Sequence, residues 1–227
     1  MMFEERRVLL LDMNGTFMFG EDRFGAQEDF SIQYQALGGV TYTGKINTII
    51  QSAYDYLDER YLDKAYQNQF PSLECAILKT LGEGLEREEL ARIVATFAHH
   101  ELGYIPVEYV NALRKLQRRF VLAAIIDIWA PKALWIDAFR EAGILDLFSS
   151  LFFSSDHGIV KPSPKTFEFV LSAINACAGE AIMIGDSPRR DLGGAKNAGI
   201  DCILVGGATH PDAMMCLDSL LDFSILV

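Results

Sequence analysis

Four consecutive aliphatic residues, Val8-Leu9-Leu10-Leu11, stand between Arg7 and Asp12. The run is short and shows no alternation of apolar with polar positions, so as a strand it must be covered on both faces. Strands of that kind belong to parallel sheets with helices above and below. Comparable runs recur at Phe120–Ile126, Leu151–Phe153, Ala181–Ile184 and Cys202–Val205, and helix-like stretches separate the later ones. The expected fold class is therefore α/β, a doubly wound parallel sheet whose first strand lies close to residue 8.

The helix-like stretches carry their own punctuation. Pro131 opens one that runs to Gly143, Pro164 opens one through Ala176, and Pro188 opens one that closes at Gly199. Proline fits the first helical turn, where its missing N–H has no partner to lose, and glycine fits the residue just past the last turn. Between Gly20 and about Gly103 the pattern changes to helical spacing alone, as in Ile46, Ile49, Ile50, Ala53, Tyr54 and Leu57 on one face. The spacing predicts a helical cap domain over 20–103, inserted into a sheet domain made of 1–19 and 104–227. Its crossings fall near Phe19–Phe24 and Gly103–Pro106. A cap set after the first strand can close over the carboxyl ends of the strands, where open α/β sheets bind ligands.

Composition narrows the function classes. Half of the 227 residues are hydrophobic, enough for a substantial core. The formal net charge of -11 gives no bulk positive field to draw nucleic acid or an anionic membrane, so neither is an expected partner. The opening Met-Met-Phe-Glu-Glu-Arg-Arg lacks the apolar stretch of a signal peptide, and a cytoplasmic protein is expected. Cys75, Cys177, Cys202 and Cys216 are scattered without a paired spacing, which predicts inert thiols in place of a zinc site or disulfides. His99, His100, His157 and His210 likewise lack metal-ligand spacing.

Polar clusters follow the predicted strands: Asp12-Met13-Asn14-Gly15-Thr16, then Asp127, then Lys161-Pro162, then Gly185-Asp186-Ser187 with Asp191. All strands of a parallel sheet end on the same side, so residues more than a hundred positions apart can converge on one crevice. Asp12-Met-Asn-Gly-Thr16 resembles the first motif of the haloacid dehalogenase (HAD) superfamily, Gly158-Ile-Val-Lys161-Pro the third, and Gly185-Asp-Ser-Pro-Arg-Arg-Asp191 the fourth. The resemblance implies a Rossmann-like core and a phosphatase or phosphotransferase acting on a small phosphorylated metabolite. In that chemistry Asp12 attacks phosphorus, forms an aspartyl phosphate and is freed by water. It further implies Mg2+ held by Asp12, Asp186, Asp191 and the backbone carbonyl of Asn14, with Lys161 gripping the phosphoryl group and Gly15 allowing tight backbone geometry around it.

Two positions depart from the family pattern. The family's phosphatases carry a second aspartate, a general acid and base, where this chain has Asn14, which cannot exchange a proton. The second motif offers a serine or threonine hydroxyl to phosphate where this chain has Asp127. One carboxyl has gone and another has come, so Asp127 is a candidate both for proton transfer and, when neutral, for a hydrogen bond to phosphate. Asn14-Gly15 is also a sequence open to succinimide formation, which would restore an aspartate. A metal-free haloacid dehalogenase and a binding or regulatory protein with impaired turnover are the competing expectations. Arg189 and Arg190 are read as a solvated helix face, and the cap tyrosines, Tyr61 among them, as packing residues.

Overall fold

The computed structural model describes residues 3, 5–81 and 85–227. Met1, Met2 and Glu4, which bear on the expected lack of a signal peptide, and residues 82–84 of the predicted cap lie outside the described residues.

Strand β1 (Val8–Leu11) is followed by four helices, α1 (Phe30–Ala36), α2 (Thr43–Tyr61), α3 (Leu73–Leu81) and α4 (Arg87–Glu101). The chain then alternates: α5 (Val107–Leu116), β2 (Val121–Ile126), α6 (Ala133–Glu141), β3 (Phe148–Phe153), α7 (Ser154–His157), α8 (Pro164–Ala173) and β4 (Ala181–Gly185). It ends with α9 (Gly193–Asn197), β5 (Asp201–Leu204), β6 (Met215–Cys216) and α10 (Leu220–Leu226). The six strands form one sheet in the order β3-β2-β1-β4-β5-β6, every pairing parallel. The α/β class and doubly wound sheet expected from the apolar runs are the observed ones.

The continuous apolar strands are explained by what covers them. Leu9, Leu11, Ala124, Ile126, Ile182 and Ile184 face one core, which continues into the helical segment. Val8, Leu10, Ala123, Ile125, Ala181 and Met183 face the other, filled by Phe167, Val170 and Leu171 of α8 and Ala195 of α9. Adjacent residues point to opposite faces of a strand, so both layers need apolar side chains at every position.

Three details differ from the expectation. β3 starts at Phe148, three residues before the Leu151 start, because Ser149 and Ser150 sit at positions open enough to water to tolerate hydroxyls. The two-residue β6, within the apolar run Ala213–Leu217, is a strand that is not among the expected ones. The stretch opened by Pro188 is first a π-turn, Pro188–Leu192, and only then α9.

The two crossings between sheet and helical segment pair with each other: the Phe19 N–H donates to the Tyr104 carbonyl at 2.9 Å and the Tyr104 N–H to the Phe19 carbonyl at 2.8 Å. Gly103 makes this approach possible, since a Cβ there would lie 2.5 Å from the Phe19 carbonyl oxygen. On α2 the buried positions are Ile46, Ile49, Ile50, Ala53 and Leu57, the predicted stripe except for Tyr54, which is half-buried. Tyr54 stacks on Phe24 at 4.5 Å and packs against Trp129 of the post-β2 loop at 5.2 Å, joining the helical segment to the sheet domain. Among the described residues no helix is long and apolar enough to cross a membrane.

Candidate active site

The three central strands deliver the site. Asp12 directly follows β1, its N–H extending the ladder to the Ile184 carbonyl of β4 at 2.9 Å. Asp127 directly follows β2 and Asp186 directly follows β4. Lys161 comes from the loop between α7 and α8, and Asp191 from the π-turn after β4. The Ser187 N–H donates to Asp191 Oδ2 at 2.9 Å, which aims the carboxylate back under the strand ends.

Lys161 is the centre of charge. Its side chain is 1% exposed, and Nζ donates to Asp12 Oδ1 at 2.5 Å and to Asp191 Oδ1 at 2.8 Å. Burial alone would lower its pKa, but Asp12, Asp191 and Asp127 outweigh that and hold the ammonium protonated. Asp12 responds oppositely: burial and then Asp191 push its carboxyl up to about 7, against the pull of Lys161. Burial and Asp191 also raise Asp186.

This excess of negative charge bears on the metal. Carboxylate oxygens of Asp12, Asp186 and Asp191 all lie within 4.8 Å of one another. Lys161 offsets one of the three charges, and a divalent cation would offset the remaining two. Asp186 Oδ1 is buried without a hydrogen-bond partner, a costly state for a carboxylate oxygen and a sensible one for a metal ligand. Among the described residues no backbone N–H donates to the Asn14 carbonyl. An all-oxygen donor set of this kind suits Mg2+. Gly15 closes the floor of the site with φ 68°, and a Cβ there would lie 2.3 Å from Asp186 Oδ2. The Gly15 nitrogen, which would have to attack the Asn14 side chain to form a succinimide, donates to the Met18 carbonyl at 2.9 Å, a bond that the cyclisation would have to break.

Asp127 lies in the same cavity but is already engaged. Its Oδ2 accepts the Tyr61 hydroxyl at 2.8 Å and the Lys161 backbone N–H at 3.1 Å. Burial raises its carboxyl from the ordinary range, while Lys161 and the Tyr61 hydrogen bond oppose the rise. Tyr61 itself is pushed well above its usual value by burial and by Asp127, so the phenol stays a donor.

A cavity of about 120 Å3 contains Asp12, Asn14, Asp127, Lys161 and Asp186 on its walls. Asp191 sits behind Lys161, fully buried. The same walls hold residues that sequence reasoning missed. Tyr61 ends α2, and Glu101 ends α4, its two oxygens accepting the Trp129 and Ala130 N–H groups at 2.5 and 2.9 Å. Arg190, read as a solvated position, lines the cavity too, with its guanidinium 5.1 Å from the centre of the Tyr61 ring. Neither Tyr61 nor Glu101 has a local signature, since each is one more residue of an amphipathic helix.

A stability prediction follows. Burial holds Glu101 at about 8 and Asp12 at about 7, so the folded chain binds these protons more tightly than the unfolded one. The resulting stability is full below the ordinary carboxylate range and is lost as pH rises through about 7 to 8. Metal-free protein should melt several degrees lower at about pH 8.5 than at about pH 5.5, and Mg2+ should narrow the gap. Calorimetric scans with equal melting temperatures at the two pH values would contradict this.

A family model described as haloacid dehalogenase-like hydrolase matches residues 7–199. The chain is 30% identical over 144 residues to a phosphoserine phosphatase of Thermus thermophilus, covering 63% of this chain and 57% of that protein. It thus spans less than two thirds of that relative's length. Its fold is similar to that of the magnesium-bound HAD-hydrolase YfnB from Bacillus subtilis, with TM-score 0.59, 19% identity, and 97% and 98% of the two chains covered. It is also similar to that of a 2-haloacid dehalogenase from Pseudomonas syringae pv. Tomato DC3000, with TM-score 0.66, 20% identity and 97% of each chain covered.

Proposed function

Because the chain belongs to the haloacid dehalogenase-like hydrolase family, we propose that it is a Mg2+-dependent phosphohydrolase or phosphotransferase for a small phosphorylated metabolite, with Asp12 as nucleophile. The observation that carries this reading is the cluster in which Lys161 Nζ joins Asp12 and Asp191, carboxylate oxygens of Asp12, Asp186 and Asp191 lie within 4.8 Å of one another, and Asp186 has a buried oxygen without a hydrogen-bond partner. A displacement of halide from carbon needs the nucleophile but not three carboxylates around one cation site. The name of the Thermus thermophilus relative, a phosphatase, supports the same choice.

In the proposed reaction the Asp12 carboxylate oxygen not held by Lys161 attacks phosphorus. The bond to the leaving oxygen breaks, and that oxygen takes a proton. Water then attacks the aspartyl phosphate, gives up a proton, and releases inorganic phosphate with Asp12 restored. Mg2+ supplies charge neutralisation of the phosphoryl oxygens when bound, and Asp12, Asp186, Asp191 and the Asn14 carbonyl would hold it. Lys161 keeps Asp12 oriented and offers its remaining N–H to a phosphoryl oxygen. Gly15 admits the phosphate close to the backbone. The helical segment 20–103 acts as a cap, excluding water and limiting the leaving group to what a small cavity accepts.

Asn14 cannot carry the proton, so the role falls to Asp127, a raised carboxyl in the same cavity. Asp127→Asn should lower kcat/KM by about 10²-fold at the optimum and remove the alkaline fall that marks loss of a general acid. An unchanged pH profile would remove Asp127 from proton transfer.

The function as a whole is tested by screening phosphate and halide release with and without Mg2+, on small phosphorylated metabolites and short haloacids. Mg2+-dependent phosphate release is expected. Halide release without metal would replace this reading with a dehalogenase, and silence on every substrate would replace it with a binding protein.

A further inference from the structure

A phosphoryl group brings three non-bridging oxygens into a cavity in which the Lys161 ammonium and the Tyr61 hydroxyl are already engaged. Lys161 has two of its three N–H bonds on Asp12 and Asp191. The Tyr61 hydroxyl is on Asp127. Asp127 stands where the resembling family offers a phosphate-binding hydroxyl, and it accepts hydrogen bonds here in place of donating one.

Arg190 is the exception. Its backbone N–H is fixed by Ser187 Oγ at 3.2 Å, and its half-buried side chain lines the cavity. Among the described residues the guanidinium makes no side-chain hydrogen bond and meets no carboxylate within ion-pair reach, although five carboxyl groups other than Asp12 share the walls: Glu21, Asp22, Glu101, Asp127 and Asp186. Its Cζ lies over the Tyr61 ring, 5.1 Å from the ring centre, a cation–π placement that uses none of its N–H donors. The neighbouring Arg189 differs: its guanidinium donates to the Leu62 carbonyl at the end of α2.

We propose that Arg190 is a second phosphoryl-binding cation of this site beside Lys161, its guanidinium taking two phosphoryl oxygens side by side and so replacing the hydroxyl that Asp127 displaced. A guanidinium presents paired N–H donors in a plane that matches two oxygens of a phosphate, which a lysine cannot do. The assignment rests on the phosphohydrolase reading above and adds to it a residue and a mode of grip.

The test is calorimetric titration of inorganic phosphate into the Mg2+-loaded protein, which contains no leaving group. Arg190→Met should raise the Kd for phosphate about 10- to 100-fold, the value of a charge-assisted hydrogen-bonded pair, and Arg190→Lys should recover part of the loss. If Arg190→Met fails to fold, Arg190→Gln, which keeps polar atoms over the Tyr61 ring, carries the same expectation. Equal phosphate affinity in wild type and a folded Arg190 variant overturns the proposal and leaves the phosphohydrolase reading intact. That result, together with a raised KM only for substrates bearing a second anionic group, would reassign Arg190 to the leaving group. A wild-type protein that neither binds nor releases phosphate overturns both.

Discussion

Asp12→Asn is expected to abolish turnover, by at least about 10⁴-fold in kcat, while leaving a folded chain. The substitution removes the attacking oxygen and nothing else of comparable reactivity can reach its position. Asp191 is pinned by the Ser187 N–H and by Lys161, and Asp186 would be taken up in holding the metal. Stability should change little or rise, because the carboxyl removed is one that burial already drives up to about 7. Activity and a melting curve together make the check: inactive and folded is the expected pair. Residual activity above about a hundredth of wild type would mean that Asp12 positions the substrate without attacking it.

Lys161→Met is expected to damage both activity and fold. Its ammonium is the one charge between two buried carboxylates, and methionine leaves Asp12 and Asp191 facing each other without it. Removing one partner of a buried pair costs about 3–5 kcal/mol, less whatever the carboxylates recover by taking up a proton. The loss should therefore be largest above about pH 7 and smaller in acid, where a proton can replace the ammonium. Activity should fall about 10³-fold, the loss typical of a donor aimed at charge that develops in the transition state. Urea titrations at two pH values separate the effects. A variant as stable as wild type at alkaline pH would contradict the buried cluster itself.

The parts of the molecule that were legible in the sequence share one physical property: their signal is local. β1, β2, β4 and β5 are announced by apolar runs because both faces of the sheet are covered, and α8 by Pro164, which fills the first turn. Asp12, Lys161, Asp186 and Asp191 could be named because each follows or adjoins such an element inside a recognisable motif. Their convergence on Lys161 then comes from parallel topology.

What was not legible arises from contacts across the fold. Arg190 reads as one of two charges on a turn, and only the packing of α2 against that turn separates it from Arg189, which ends on Leu62. Tyr61 reads as one cap aromatic among several until its hydroxyl is found on Asp127. Glu101 looks like the polar end of a helix, yet it is 3% exposed and organises the loop after β2. Asp127 is legible from its strand-end position, but its bond to the Lys161 backbone N–H depends on how the α7–α8 loop returns to the sheet.

The central claim, that Asp12 is the nucleophile in a covalent phosphoryl transfer, is tested most directly by trapping the intermediate. Protein mixed with Mg2+ and a turned-over phosphate substrate labelled on phosphorus, then quenched in acid, should carry the label on the peptide that contains Asp12. The label should be absent from Asp12→Asn. Label on another residue, or wild-type turnover with no phosphorylated peptide under conditions that trap acyl phosphates, would contradict the account.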